Sequence, residues 1–267
     1  MILKKNKIPE ASRIVIKIGT AIITSNNKLN LKWLKSKIME IAELHRNGKE
    51  IIIVTSGAVG TGMQLEGLAV RPKEPMKLQL LSGKGQAILM RIYESTFSRY
   101  KIQTAQVLLT HYNFSSDIEV KNIRVINNEY LKERTIPVIN TNDVITSEEL
   151  MSNSTGRFTD NDELASLVAV NLDAEILLIL TDVDGLYTND PRIDKGAIFV
   201  PYIKEITDDI LKMASKEGNS MGRGGMYSKV IAARNVKRHG IITIIGNGKY
   251  KLLDVLKGNV QRTVFEA

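Results

Sequence analysis

The sequence contains no cysteine, so neither a disulfide scaffold nor a thiolate-ligated metal site is open to it. Histidine is scarce. His45, His111 and His239 are the only three, and no H-E-x-x-H or G-x-S-x-G occurs, which leaves zinc-protease and triad-hydrolase chemistry without support. Aromatic residues make up 5% of the chain and do not alternate with basic ones, so the stacking surface that single-stranded nucleic acid needs is missing. No apolar run approaches the roughly 20 residues of a membrane span. The apolar stretch in "MILKKNKIPEASR" is too short for a signal peptide. Neither G-x-x-x-x-G-K-[ST] nor G-x-G-x-x-G occurs, which disfavours a P-loop enzyme and a dinucleotide-binding fingerprint. The expectation is a soluble, cytoplasmic protein with neither membrane nor nucleic acid as partner.

What is present suits a large α/β unit. The 267 residues are 43% hydrophobic, enough for a substantial core. No long linker, repeat or low-complexity stretch divides them. The net charge of +8 suits either nucleic acid or an anionic small substrate. Its sources are scattered, however; only "KK" near the N-terminus and "KWLKSK" (Lys32–Lys37) cluster, and a solvated basic surface is the reading. His45 and His239 fall at helix ends, where a solvated role suits the dipole. Strands are predicted at "RIVIKI" (Arg13–Ile18), "EIIIV", Thr104–Leu109, Ile136–Asn140, "AEILLILTD" and "IITIIG". Helices are predicted after Leu31, near Met76–Tyr100, near Ile118–Arg134, and in the stretches that end at Asn171 and Gly240. The continuous apolar strands imply a mainly parallel sheet covered on both faces.

Ligands of such sheets bind beyond the C-terminal strand ends. Those ends here are Lys17–Thr20, "TSGAVGTG" (Thr55–Gly62), "NTND" (Asn140–Asp143), "TDVDG" (Thr181–Gly185) and "GNGK" (Gly246–Lys249), all polar or glycine-rich. Lys17 sits inside an apolar strand, which costs desolvation unless its ammonium reaches an anion. "GRFTDNDELASLVAVN" (Gly156–Asn171) places Asp160, Asn161 and Asp162 in a row before a helix that needs only one cap. Asp160 with Glu163, or Thr159 with Asp162, fits a capping box. Lys229, four residues after a glycine pair in "MGRGGMYSK", is either an ordinary exposed helix lysine or half of a phosphate clamp. Two lysines and strand-end carboxylates suit phosphoryl transfer, which asks mainly for positioning and charge neutralisation. A carboxylic acid acceptor is already ionised at neutral pH, so no histidine base is required.

In order along the chain, "VIKIGT", "IIIVTSGAVGTGM", "QVLLT", "IPVINTNDVI", "FTDNDELASLVA", "LLILTDVDGLYTNDPR" and "MGRGGMYSKVIAARNVKRHGI" resemble the glutamate 5-kinase family of the amino acid kinase superfamily. The resemblance runs from about Arg13 to Asn247. It implies a three-layer αβα sandwich formed by one amino acid kinase domain over residues 1–267. The N-terminal part would be the substrate lobe and roughly 175–267 the nucleotide lobe. Many bacterial members continue into a PUA domain, for which the residues after "IGNG" are too few, so none is expected.

The resemblance also assigns roles. Lys17, Asp162 and Lys229 would be catalytic, with Asp162 orienting the two lysines. Ser56, Gly57, Asp143 and Asn161 would bind glutamate. Lys17, Gly19, Thr181, Asp182 and the segment Arg223, Gly224, Gly225, Met226, Tyr227, Ser228 and Lys229 would bind ATP, with no protein metal site assigned. It further implies Mg²⁺, feedback inhibition by proline and a homodimer or homotetramer. The sequence departs from the common bacterial pattern at Thr141, where "NTND" stands for "NEND", at Arg223, where threonine is usual, and in "LLTHYNF". Two alternatives stay open: a related kinase for N-acetylglutamate, aspartate or carbamate, and a catalytically silent sensor or nucleic-acid-binding protein of the same fold. Intact Lys17, Asp162 and Lys229 count against silence, and Asp143 counts for an acceptor with a free α-ammonium.

Overall fold

Strand β1 (Arg13–Ile18) shows how the sequence sets the layers. Ile14, Ile16 and Ile18 enter one hydrophobic core and Val15 enters a second, as the two-residue period of a strand requires. The computed structural model describes residues 8, 10–25, 28–146, 160–216 and 225–267. After β1 come α1 (Thr20–Ile23), β2 (Thr24–Ser25), β3 (Lys28–Leu29), α2 (Leu31–Arg46), β4 (Glu50–Val54), α3 (Ala58–Leu65) and α4 (Pro75–Phe97). The chain continues through β5 (Thr104–Leu109), α5 (Asp117–Lys132), β6 (Ile136–Thr141), α6 (Asn161–Asn171), β7 (Ile176–Thr181) and β8 (Tyr202–Ile203). It ends with α7 (Asp208–Lys216), α8 (Met226–Lys237), β9 (Ile242–Asn247), α9 (Leu252–Lys257) and β10 (Arg262–Phe265).

Among the described residues, eight strands form one sheet in the order β5-β6-β4-β1-β7-β9-β10-β8. The first six run parallel, and β10 pairs antiparallel with β9. Helices α2, α4 and α9 pack on one face through Leu34, Ile38, Leu89, Tyr93 and Val255. Helices α5, α6 and α8 pack on the other through Ile123, Leu164, Val168 and Val230. The result is the three-layer αβα sandwich with a mainly parallel sheet that the resemblance implies. β7 is buried at all six positions, and each such Leu or Ile contributes roughly 1.5–3 kcal/mol by leaving water.

Topology places the site. From β1 the chain crosses to β4 on one side and later returns to β7 on the other, so the strand order reverses at β1. The C-terminal ends of β4, β1 and β7 thus meet at a switch point, where open α/β sheets bind ligands. One edge of this region is fixed by α3 and α4, which touch main chain to main chain. A Cβ on Gly62 would lie 2.0 Å from the Leu81 carbonyl oxygen, and one on Gly85 would lie 1.9 Å from that of Ala58. Only glycine at both positions allows this approach, and Ser82 and Gln86 on α4 meet Asp143 and Asn140 at the end of β6.

Two surface expectations are corrected. His45, expected in solvent at the end of α2, is 6% exposed, and the Arg134 guanidinium donates to its carbonyl. Burial first, and then the charge of Arg134, hold its imidazole below the usual value of 6.5. Lys37, read as part of a solvated basic cluster, is 3% exposed and paired with Glu40 at 2.9 Å. In both cases the covering group comes from elsewhere in the fold: Arg134 for His45, and the chain near Tyr250 for Lys37. The remaining histidine expectation holds, since His239 is exposed at the end of α8.

Candidate active site

Lys17 is the fifth residue of β1, between Ile16 and Ile18. Because those two enter the first core, strand alternation turns Lys17 to the opposite face, toward the start of α6. There Asp160 is the N-cap. Its Oδ1 accepts the backbone N–H groups of Asp162 at 2.9 Å and Glu163 at 3.1 Å, the usual way of satisfying first-turn donors. With capping done by Asp160, the next two side chains are available for other partners.

Asn161 ties two strand ends together. Its Nδ2 donates to the Thr55 carbonyl and to Ser56 Oγ, both at 2.9 Å, with Asn140 Oδ1 at 3.1 Å, and its Oδ1 accepts from Thr141 Oγ1 at 2.6 Å. Asp162 is wholly buried between the two lysines. Its Oδ1 lies 2.6 Å from Lys17 Nζ, and its Oδ2 lies 3.0 Å from Lys229 Nζ and accepts from Ser228 Oγ at 2.8 Å. Burial opposes ionisation of Asp162, but the Lys17 and Lys229 charges and the bonds from Lys17 and Ser228 outweigh it. They hold the carboxyl well below the usual carboxylate range.

Lys229 comes from α8, which begins after Gly225. Its two sequence readings are separated by burial: it is 3% exposed, and its ammonium faces Asp162 instead of solvent. The three ionic groups carry one net positive charge in a dry setting. A low-dielectric site amplifies the effect of that charge on an anion.

A cleft of about 360 Å³ opens over this triad, a size typical of small-ligand sites. Lys17, Gly19 and Lys229 line its centre. Ser56, Gly57, Asp143 and Asn161 line it on the β4–β6 side, and Thr181 and Asp182 on the β7 side. Asp143 is held by Ser82, whose Oγ donates to Oδ2 at 2.8 Å, and Asn140 donates to Gln86 Oε1 at 2.8 Å. On the far side, Thr181 Oγ1 donates to Asp182 Oδ1 at 3.1 Å, and the N–H of Gly248 donates to the Thr181 carbonyl at 2.8 Å. Of the glycine-rich segment, Ser228 and Lys229 meet Asp162, and Gly225 supplies a carbonyl to Ser228 at 2.9 Å. Met226 is buried in the second core with Tyr227 packed against it. Arg223 and Gly224 lie outside the described residues.

The structure adds members that sequence reasoning did not single out. Arg71 from the α3–α4 connection and Ala21 line the cleft, beside Thr20 and the cap Asp160, which the sequence had already marked. An isolated arginine in "VRPKEP" carries no pattern that reveals this. Ser82 and Gln86, four apart on an otherwise apolar helix face, were the available signal for the supports behind Asp143 and Asn140. Among the described residues, no group of three or more His, Asp or Glu could hold a metal ion. The lining carboxylates instead suit an ion held largely by ligand phosphates, the usual habit of Mg²⁺.

Residues 12–247 match the model of the amino acid kinase family. The chain is 42% identical over 238 residues to a glutamate 5-kinase of Caldanaerobacter subterraneus subsp. tengcongensis, a match covering 89% of this chain and 62% of that protein. It therefore spans about 62% of the length of that relative. A glutamate 5-kinase of Enterococcus faecalis is 37% identical over 264 residues, with 98% of this chain and 97% of that protein covered. Among solved structures, a carbamate kinase from Giardia lamblia bound to AMP-PNP superposes with a TM-score of 0.65 over 96% of this chain and 98% of that one, at 18% identity. At that identity the likeness shows the fold.

Proposed function

The chain belongs to the amino acid kinase family, and on that premise we propose that it transfers the γ-phosphoryl group of ATP to the γ-carboxylate of L-glutamate. The products would be ADP and γ-glutamyl phosphate, the first intermediate of proline biosynthesis. The observation that carries the proposal is the buried Lys17–Asp162–Lys229 triad beneath a cleft at the switch point of the sheet. The relatives named glutamate 5-kinase supply the acceptor.

In this reading a γ-carboxylate oxygen attacks the γ-phosphorus in line, and the bond from that phosphorus to the bridging oxygen of ADP breaks. No proton needs to be removed from the acceptor. Lys17 and Lys229 donate hydrogen bonds to the oxygens on which charge builds in the transition state, and Asp162 fixes both ammoniums before substrate arrives. Ser56, Gly57 and Asp143 receive glutamate on the β4–β6 side, with Asp143 pairing to the α-ammonium. Asn161 sets the rim on which they stand, since its own amide is engaged by Thr55, Ser56, Asn140 and Thr141. Gly19, Thr181, Asp182 and the segment from Arg223 to Lys229 receive ATP. Mg²⁺ carried on the phosphates would add charge neutralisation, with Asp160 or Asp182 as the cleft carboxylates able to meet it. The family resemblance further supports feedback inhibition by proline, a homodimer or homotetramer and a cytoplasmic location.

The test is to trap acyl phosphate with hydroxylamine, offering glutamate, N-acetylglutamate, aspartate and carbamate with Mg-ATP. Hydroxamate from glutamate alone is expected. Product from another acid would move the acceptor assignment, and no product from any, with folded protein, would remove the kinase reading.

A further inference from the structure

Helix α2 presents Trp33, Lys37 and Glu40 at spacings of four and three, on one helical face. All three grip the connection between β9 and α9. Trp33 Nε1 donates to the Gly248 carbonyl at 2.8 Å. Lys37 Nζ donates to the Tyr250 carbonyl at 2.5 Å and to both carboxylate oxygens of Glu40. Glu40 Oε2 in turn accepts the N–H of Leu252 at 2.7 Å. An ion pair taken this far out of solvent is not justified by its own stability, and what it secures here is the path of a loop.

The other side of that loop meets residues at the end of β7. Gly248 donates its N–H to the Thr181 carbonyl, and Asn247 Nδ2 donates to the Asp182 carbonyl at 3.0 Å and to Asp184 Oδ1 at 2.9 Å. Thr181 and Asp182 are lining residues. Gly248 is also wedged. A Cβ there would lie 3.0 Å from Trp33 Cζ2 and 2.9 Å from Ile22 Cδ1, and Ile22 belongs to α1, whose Thr20 and Ala21 line the same cleft. Through one glycine the indole therefore bears on two cleft walls without itself lining the cleft.

We infer that Trp33 is a positioning residue for the nucleotide: with the Lys37–Glu40 clasp it sets the β9–α9 loop against the main chain of Thr181 and Asp182. The inference rests on the assignment of those two residues to the nucleotide side. A residue acting this way moves nucleotide affinity and leaves the glutamate side, built on β4, β6 and α4, unchanged.

Trp33→Phe keeps an aromatic ring and deletes the N–H donor. Its affinity for AMP-PNP, measured by calorimetry, is expected to fall about two- to tenfold, the range a single net hydrogen bond accounts for. KM for ATP rises by the same factor, and KM for glutamate stays put. Gly248→Ala disturbs the same contact from the other partner and gives the same split. Combined, the two lose less than the product of their separate effects, because both act through the same Trp33–Gly248 contact. A folded Trp33→Phe protein with unchanged AMP-PNP affinity, or with both KM values raised equally, overturns the inference. Wild-type protein that binds no AMP-PNP overturns the nucleotide assignment and the inference with it. Binding of AMP-PNP without hydroxamate from glutamate overturns the acceptor reading alone.

Discussion

Replacing Asp162 by asparagine removes a negative charge that two buried ammoniums share. Asparagine is nearly isosteric, so packing is conserved and the loss is electrostatic. Asp162 is fully buried, with Lys17 at 2.6 Å and Lys229 at 3.0 Å. Breaking a buried pair by deleting one partner costs about 3–5 kcal/mol, because the other charge is left uncompensated. Here the carboxylate is shared by two ammoniums, which puts the expected loss at the upper end, roughly 5 kcal/mol, against a total stability of about 5–15 kcal/mol for a protein of this kind.

Urea denaturation at pH 7 measures it directly. A polyanionic nucleotide should restore part of the loss, because its phosphates meet the same ammoniums. The stability gap between wild type and Asp162→Asn should therefore narrow in saturating ATP. The sign with pH follows from the lowered carboxyl pKa. The contribution of Asp162 is fully present above the unfolded-state value of about 4, and is lost as pH falls through the lower folded value. The gap should accordingly be flat from pH 5 to 8 and close only in stronger acid. An Asp162→Asn protein within about 1 kcal/mol of wild type at pH 7, where ordinary surface changes fall, would refute the view that this carboxylate holds the lysines.

Lys229→Ala is expected to cut turnover by roughly 10²–10³, the cost of losing one preorganised donor to a charged transition state, while the Kd for glutamate changes little. Steady-state rates set beside glutamate calorimetry check this, and an unchanged rate would remove the two-lysine mechanism. Gly85→Ala should destabilise by several kcal/mol, because its methyl would meet the Ala58 carbonyl oxygen at 1.9 Å and main chain cannot swing aside. Urea midpoints read the effect, and a near-neutral result would mean that α3 and α4 do not touch as described. His45 should titrate below 6.5 by NMR. Its depressed value makes wild-type stability fall as pH drops through that titration, and His45→Phe should remove that part of the slope.

Much of the scaffold was legible because it depends on local pattern. Six apolar parallel strands, a lysine alone among isoleucines at Lys17, and three polar residues where one cap suffices at Asp160–Asp162 all speak without their partners. What the sequence could not show depends on contacts between distant residues. His45 and Lys37 look like surface residues until Arg134 and the Tyr250 carbonyl cover them. Helix α3, "AVGTGMQL", carries two glycines that weaken a helical reading, and its reason for existing is the close contact with α4. Strands β8 and β10 are two and four residues long, too short for periodicity to register. Asn161 was legible as a site residue but not as the tie between β4 and β6, because its partners lie 20 to 106 positions away.

In the proposed reaction a carboxylate oxygen of glutamate becomes bonded to the γ-phosphorus of ATP. Glutamate labelled with ¹⁸O in its γ-carboxylate tests this most directly. The acyl phosphate is cleaved by hydroxylamine at carbon, and the phosphate released is read by the isotope shift of its ³¹P resonance. Inorganic phosphate carrying one ¹⁸O is expected. Unlabelled phosphate would mean that water, not glutamate, takes the phosphoryl group, and would contradict the account at its base.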